Sequence, residues 1–171
     1  MQVLDTKLKE VKLIQLESFE DHRGHYVESY NERMYLEAGI DIKFVQDDFS
    51  LSRQNVLRGL HGDDHTWKLV SCPVGKLMLA VVNCDQSSEN FGQWETFVLS
   101  ESNRRQVLVP PKFGNGHLVL SERAMFMYKQ SSYYSPTGQF SYRYDDPRFN
   151  IWWPIQNPIL SRRDEQGAYV D

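Results

Sequence analysis

Cysteine is scarce in this chain: Cys72 and Cys84 are the only two, too few for a disulfide framework. The plainer expectation is a pair of buried thiols facing each other across neighbouring strands. Long apolar runs are missing as well, and none approaches the roughly 20 residues that span a bilayer. There is no excess of positive charge. The net charge is −4 and the isoelectric point about 5.7, which argues against a nucleic-acid partner. The opening residues, Met1-Gln2-Val3-Leu4-Asp5, have neither the basic region nor the apolar stretch of a signal peptide. A cytoplasmic setting with no membrane contact is therefore expected. Repeats, low-complexity tracts and linkers are also absent, which favours one domain over residues 1–171.

Aromatic residues, by contrast, are plentiful. Nine Tyr, nine Phe and four Trp exceed what a small core needs, so some rings are expected to line a pocket or an interface. Period-two alternation dominates. Strands are predicted at Val11 to Leu16, His25 to Tyr30 and Lys43 to Ser50, with Asp21-His22-Arg23-Gly24 as a turn. Glu32 to Ala38 reads as a helix, with Asn31 as its N-cap and Gly39 ending it. Further strands are expected at Trp67 to Cys72, Lys76 to Cys84, Trp94 to Leu99, Gln106 to Val109, His117 to Leu120 and Ala124 to Lys129. Pro73-Val74-Gly75, Pro110-Pro111 and Gly114-Asn115-Gly116 are read as breaks between them. Short strands at regular spacing predict an all-β sandwich or closed jelly-roll barrel. The apolar Ile151-Trp152-Trp153-Pro154 should pack rather than trail.

The densest polar cluster runs from Arg58 to Lys68. If the strand leaving Val56-Leu57 continues, Arg58 and Leu60 point one way and Gly59 and His61 the other. Gly59 leaves room for a ligand beside His61, and Arg58 and Lys68 offer charge for a diphosphate. A solvated loop with a surface histidine is the alternative. Tyr133-Tyr134, just after a strand, can stack on a sugar and donate a phenolic proton. Asp164 follows an apolar lead-in that would carry its carboxylate inward, where it could fix the tautomer of a histidine. Metal binding by His61, His65 and His117 is disfavoured. On a strand, positions four apart share a face but lie roughly 13 Å apart.

With these residues in view, the sequence resembles the dTDP-4-dehydrorhamnose 3,5-epimerase family. The resemblance runs from Asp21 to Asp164. It is carried by Asp21-His22-Arg23-Gly24, Phe44-Val45-Gln46-Asp47, Val56-Leu57-Arg58-Gly59-Leu60-His61 and Lys68-Leu69-Val70-Ser71-Cys72. Val74-Gly75, Tyr128-Lys129, Tyr133-Tyr134-Ser135-Pro136, Asp145-Asp146-Pro147 and Pro158-Ile159-Leu160-Ser161 continue it. The resemblance implies an all-β double-stranded β-helix (a cupin jelly roll) with one or two short helices and no metal or cofactor. It also implies a homodimer with exchanged N-terminal strands and a nucleotide-diphosphate sugar as substrate, in polysaccharide biosynthesis. By the same resemblance His61 is the base, Asp164 its partner and Tyr134 the acid on the opposite face. Arg23, Gln46, Arg58 and Lys68 bind sugar or phosphates, with Lys68 also the candidate donor to an enolate.

Two departures stand out. The family usually reads Phe-Ala-His-Gly-Phe where this chain has Phe113-Gly114-Asn115-Gly116-His117, so Asn115 takes the histidine position and His117 appears two residues on. Gly62-Asp63 follows His61 where an aromatic is common. These variants resemble a subgroup acting on GDP-linked 4-keto-6-deoxy-heptoses, which leaves dTDP-hexose and GDP-heptose both open and makes Asn115 and His117 candidate substrate contacts. The chemistry suits the residues. A C4 ketone acidifies the C3 and C5 hydrogens, imidazole can accept such a proton, and inversion needs a second donor across the ring. A metal-dependent cupin enzyme, a non-catalytic sugar-binding barrel and a 3,4-ketoisomerase are the alternatives.

Overall fold

Alternating apolar and polar side chains do build strands here, and a bulge, a wrapping segment and two short helices finish the fold. The computed structural model describes residues 1–170. One sheet has six strands, in the order β1 (Gln2–Asp5), β2 (Lys12–Gln15), β10 (Arg105–Val109), β7 (Lys68–Val74), β12 (Arg123–Gln130) and β5 (Gln46–Arg53). The second has five, in the order β13 (Gln139–Ser141), β6 (Leu57–Asp63), β11 (Phe113–Val119), β8 (Lys76–Asn83) and β9 (Trp94–Ser100). A separate hairpin joins β3 (Phe19–Asp21) to β4 (Gly24–Tyr26). The helices are α1 (Glu32–Glu37) and α2 (Arg162–Glu165). All neighbouring strands in the two sheets run antiparallel, as a jelly-roll barrel requires.

Three apolar layers follow from the alternation. Leu77, Leu79 and Val81 of β8 point between the sheets and join Val70, Val107, Val109, Ala124 and Phe126 from the facing one. The intervening Met78, Ala80 and Val82 point outward, where Phe149, Ile151, Trp153 and Val170 cover them. The apolar run at 151–153 thus packs as expected through Ile151 and Trp153, while Trp152 stays exposed. On the far side α1 lays Tyr35 against Ile14, Leu69 and Leu108. The Asn31 side chain caps α1 by accepting from the Met34 amide, and Gly39 leaves it at φ +84°.

Several expectations need correction. The predicted return strand from His25 to Tyr30 ends at Tyr26, and the strand expected at Lys43 to Ser50 is displaced to Gln46–Arg53. Gly114-Asn115-Gly116 is no break. It lies inside β11, because the narrow glycines let β6 and β8 pair closely on either side. The two thiols do not face each other. Cys72 belongs to the layer between the sheets and Cys84 to the outer layer, and burial pushes each up to about 12.

The largest correction concerns β6. Asn115 pairs with His61, and His117 with Arg58, so Gly59 and Leu60 together oppose the single Gly116. This bulge breaks period two. Leu57 and Leu60 both face the outer layer, and Arg58 and His61 share the inner face instead of opposing each other. Gly59 makes the bulge possible: its φ is +134°, and an added Cβ would lie 2.4 Å from Gly116 Cα. Gly59→Ala should therefore cost roughly 2–6 kcal/mol, the sum of backbone strain and overpacking. Denaturant titration reads this directly, and an unchanged midpoint would refute the close approach.

Candidate active site

The barrel interior is divided. An apolar cluster drawn from β7 to β12 fills one part, whereas Ser52 of β5, His61 of β6, Asn115 and His117 of β11 and Gln130 of β12 bring polar side chains to the other. On β6 the bulge sets His61 inward, with its side chain 29% exposed. Its ring Nε2 lies 2.6 Å from Asp164 Oδ1. Asp164 arrives on α2, whose N-cap Ser161 both accepts from the Asp164 amide and donates its hydroxyl to Oδ2 at 2.8 Å. The Gly59 amide donates to Oδ1 at 3.4 Å.

Asp164 is 2% exposed. Burial alone would raise its carboxyl, but hydrogen bonds from His61 and Ser161, the charge of His61 and the Gly59 amide outweigh it and hold the group below the usual carboxylate range. Asp164 is therefore an anion that can only accept, so His61 Nε2 carries the hydrogen. The lone pair of the neutral ring then sits on Nδ1. That is a base with a fixed tautomer.

The other candidate residues are held by contacts of their own. The Asn115 amide donates to the His61 carbonyl at 3.1 Å. Lys68 Nζ is 3.2 Å from Asp63 Oδ2, two residues beyond His61. Burial pushes the Asp63 carboxyl up, yet the Lys68 charge, the Thr66 hydroxyl and the His65 and Thr66 amides bring it below its ordinary value. Arg58 Nε donates to Ser52 Oγ at 3.1 Å, and its outer nitrogens have no partner among the described residues. Gln46 and Gln130 both donate to Asp48 Oδ2, at 2.7 and 2.6 Å. The Tyr134 amide donates to Gln46 Oε1 at 2.9 Å, which ties the segment bearing that exposed ring to the barrel rim. Burial, with Asp48 and Tyr134 nearby, raises the Tyr128 phenol.

Arg23 stands apart on the β3–β4 hairpin, its guanidinium bound to Asp21 and its side chain 79% exposed. His117 is buried and stacks on Phe126. Ser52, Asp48, Gln130 and Ser161 were not singled out from the sequence. Asp48 and Ser52 could have been, since they share the face of Gln46 at even spacing along β5.

Solved structures share this architecture. An epimerase from Legionella pneumophila in complex with dTDP-4-keto-L-rhamnose matches at TM-score 0.93 and 38% identity, over 98% of this chain and 92% of that one. The dTDP-4-dehydrorhamnose 3,5-epimerase of Bacillus anthracis, with TDP and pyrophosphate bound, matches at TM-score 0.94 and 33% identity, over 99% of each chain. The Salmonella typhimurium enzyme of the same name is 40% identical across all of this chain and 96% of its own length. The fold is thus that of a cupin-type isomerase that epimerises nucleotide-linked sugars. More particularly, the chain belongs to the dTDP-4-dehydrorhamnose 3,5-epimerase family, which it matches over residues 5–171.

The buried His117 has a consequence for stability. Burial, then the charges of Arg58 and His61, push it down to about 3, against a smaller opposite pull from Asp164. The unfolded chain binds a proton at this ring below about pH 6.5, while the folded chain does not until near pH 3. Its contribution is therefore intact above about pH 6.5 and declines with acidification by at most about 1.4 kcal/mol per pH unit. His117→Phe should flatten unfolding free energy against pH between about 6.5 and 4.5. Parallel slopes for the two proteins would contradict this.

Proposed function

We propose that the chain inverts C3, C5 or both in a nucleotide-linked 4-keto-6-deoxy sugar by removing a proton on one face of the ring and returning one on the other. The observation that carries this is the contact between His61 Nε2 and Asp164 Oδ1 inside the barrel. His61 Nδ1 takes the C–H proton, and the bonding pair moves into the ring as the C4 carbonyl becomes an enolate. Lys68, held by Asp63, stabilises the charge on that oxygen, a contribution of roughly 3 kcal/mol for one well-placed donor. Tyr134 protonates the same carbon from the opposite face as the ketone re-forms, and exchange with solvent resets both groups. Arg58 and Arg23 take the diphosphate, and Gln46, Asn115 and His117 take the sugar. No step calls for a cofactor.

Relatives named for dTDP-4-dehydrorhamnose support a thymidine nucleotide, whereas the Asn115 and His117 variant supports the GDP-heptose alternative. A panel of both, incubated in D2O, decides between them. Deuterium should enter the inverted carbon, and absence of label at C3 and C5 with every member would sink the reading. A carbonyl found at C3 in the product would instead mark a 3,4-ketoisomerase. His61→Ala and Tyr134→Phe should each lower the turnover rate roughly 10²–10⁴-fold with the fold intact, the range for acid–base groups. Unaltered activity in both would favour a sugar-binding barrel.

We also infer a homodimer acting in the cytoplasm on polysaccharide precursors. The N-terminal strands exchanged in such a dimer would be β1 and β2, which pair with each other at the edge of the six-stranded sheet. Surfaces open to a second copy include the hairpin, with Phe19 69% and Tyr26 68% exposed, and the outer face of edge strand β5, with Phe49 68% exposed. A cavity of about 370 Å³ between hairpin and sheet, lined by Tyr26, Leu69 and Met127, continues that surface. Sedimentation should give twice the monomer mass, and Phe19→Asp with Tyr26→Asp should return it to the monomer.

A further inference from the structure

The acid in the chemistry above sits on a lightly held stretch of chain. The Tyr134 ring is 63% exposed, so packing does little to fix it. Just before it the chain is tied down twice. The Ser131 amide donates to the Trp67 carbonyl at 3.0 Å, and the hydroxyls of Ser132 and Thr66 lie 2.6 Å apart. From 133 to 138, a single hydrogen bond reaches the sheets among the described residues, from the Tyr134 amide to Gln46 Oε1 at 2.9 Å.

That bond requires the Gln46 side chain to turn its oxygen toward Tyr134. A primary amide has a donor end and an acceptor end of nearly the same shape, and the donor end would meet the Tyr134 N–H as donor against donor. Asp48 sets the orientation. It lies two residues beyond Gln46 on the same face of β5, and its Oδ2 accepts from Gln46 Nε2 at 2.7 Å. A carboxylate has no hydrogen to give, so it takes only the donor end. The same Oδ2 accepts from Gln130 Nε2 at 2.6 Å. Gln130 is buried and stands opposite Gln46 across the β5–β12 pair, so it braces the carboxylate from the next strand. Tyr128, opposite Asp48, has its phenol raised by burial, then by Asp48 and by Tyr134, which sets the Tyr134 phenol over the same end of the barrel.

We propose that Asp48 is a positioning residue for the proton donor: acting through Gln46, it holds the Tyr134 segment at the barrel rim, so that inversion needs Asp48 and proton removal by His61 does not. The proposal rests on the epimerase reading, with Tyr134 as its acid. With Tyr134 out of place, His61 Nδ1 still takes the C–H proton and the C4 oxygen still gathers the charge. In D2O the part-exposed imidazolium trades that proton for a deuteron and returns it to the same carbon on the face it left. The sugar is then labelled with its configuration kept.

The test follows two rates in D2O, using 4-keto-6-deoxy sugars linked to dTDP and to GDP: formation of inverted product, and entry of deuterium into sugar recovered uninverted. Asp48→Ala should raise the ratio of retained label to inversion roughly tenfold or more, the scale on which misplacing a reacting group is felt. Asp48→Asn keeps an acceptor oxygen for both glutamines and should bring the ratio back to within about threefold of wild type. In a Tyr134→Phe background Asp48→Ala should leave the ratio where it is, since the group being positioned is gone.

An unchanged ratio in Asp48→Ala, or an equal fall in both rates, overturns the proposal while the epimerase reading stands. So does Asp48→Asn behaving like Asp48→Ala, or a further rise in the Tyr134→Phe background. Absence of label from wild type with every sugar overturns both. If Asp48→Ala does not fold, Asp48→Thr carries the test, because threonine suits a strand and its hydroxyl stops short of both amides.

Discussion

The site depends on a single mismatch in strand register: two residues of β6, Gly59 and Leu60, opposite one residue of β11, Gly116. Without it, Arg58 and His61 would lie on opposite faces of the sheet, one in the barrel and one under the wrapping segment. The mismatch also turns the Gly59 amide toward the space that Asp164 fills. One local departure from regular pairing therefore places the Arg58 cation, aims the His61 ring and presents a donor to the carboxylate behind it.

The carboxylate is delivered from outside. Residues 149–170 run over the outer face of the five-stranded sheet, anchored by Phe149, Ile151 and Trp153. Asp146 clasps the segment at both ends, accepting from the amides of Arg148 at 2.8 Å and Val170 at 2.7 Å. Asp164 is set down between them, where β6 is uncovered by β13. The interior is also economical: apolar packing fills one half of the barrel, and hydrogen bonds organise the other. The His117–Phe126 stack stands where the two halves meet.

Much of this was legible in the sequence. Alternation identified most of the strands, and Asn31 with Gly39 marked the ends of the first helix, because caps and period-two patterns are local signals. The apolar lead-in to Asp164 correctly suggested an inward carboxylate. The bulge was not legible. A glycine in a strand fits either a close approach or a slip in register, and only the partner strand decides. The same limit hid the role of Gly114 and Gly116, which look like turn residues but are paired tightly within β11. Which groups meet His61 was equally out of reach, since a contact across 103 residues leaves no trace in spacing.

That wrapping segment makes the His61–Asp164 pair conditional. Proteins open piecemeal, and a stretch held on the outside of a barrel can lift while the sheets beneath remain closed. Once α2 lifts, His61 keeps its place on β6 but has neither a fixed tautomer nor an anion behind it. The sheets can thus stay closed while the pair is parted, and the clasp at Asp146 is one of the contacts that hold the segment down.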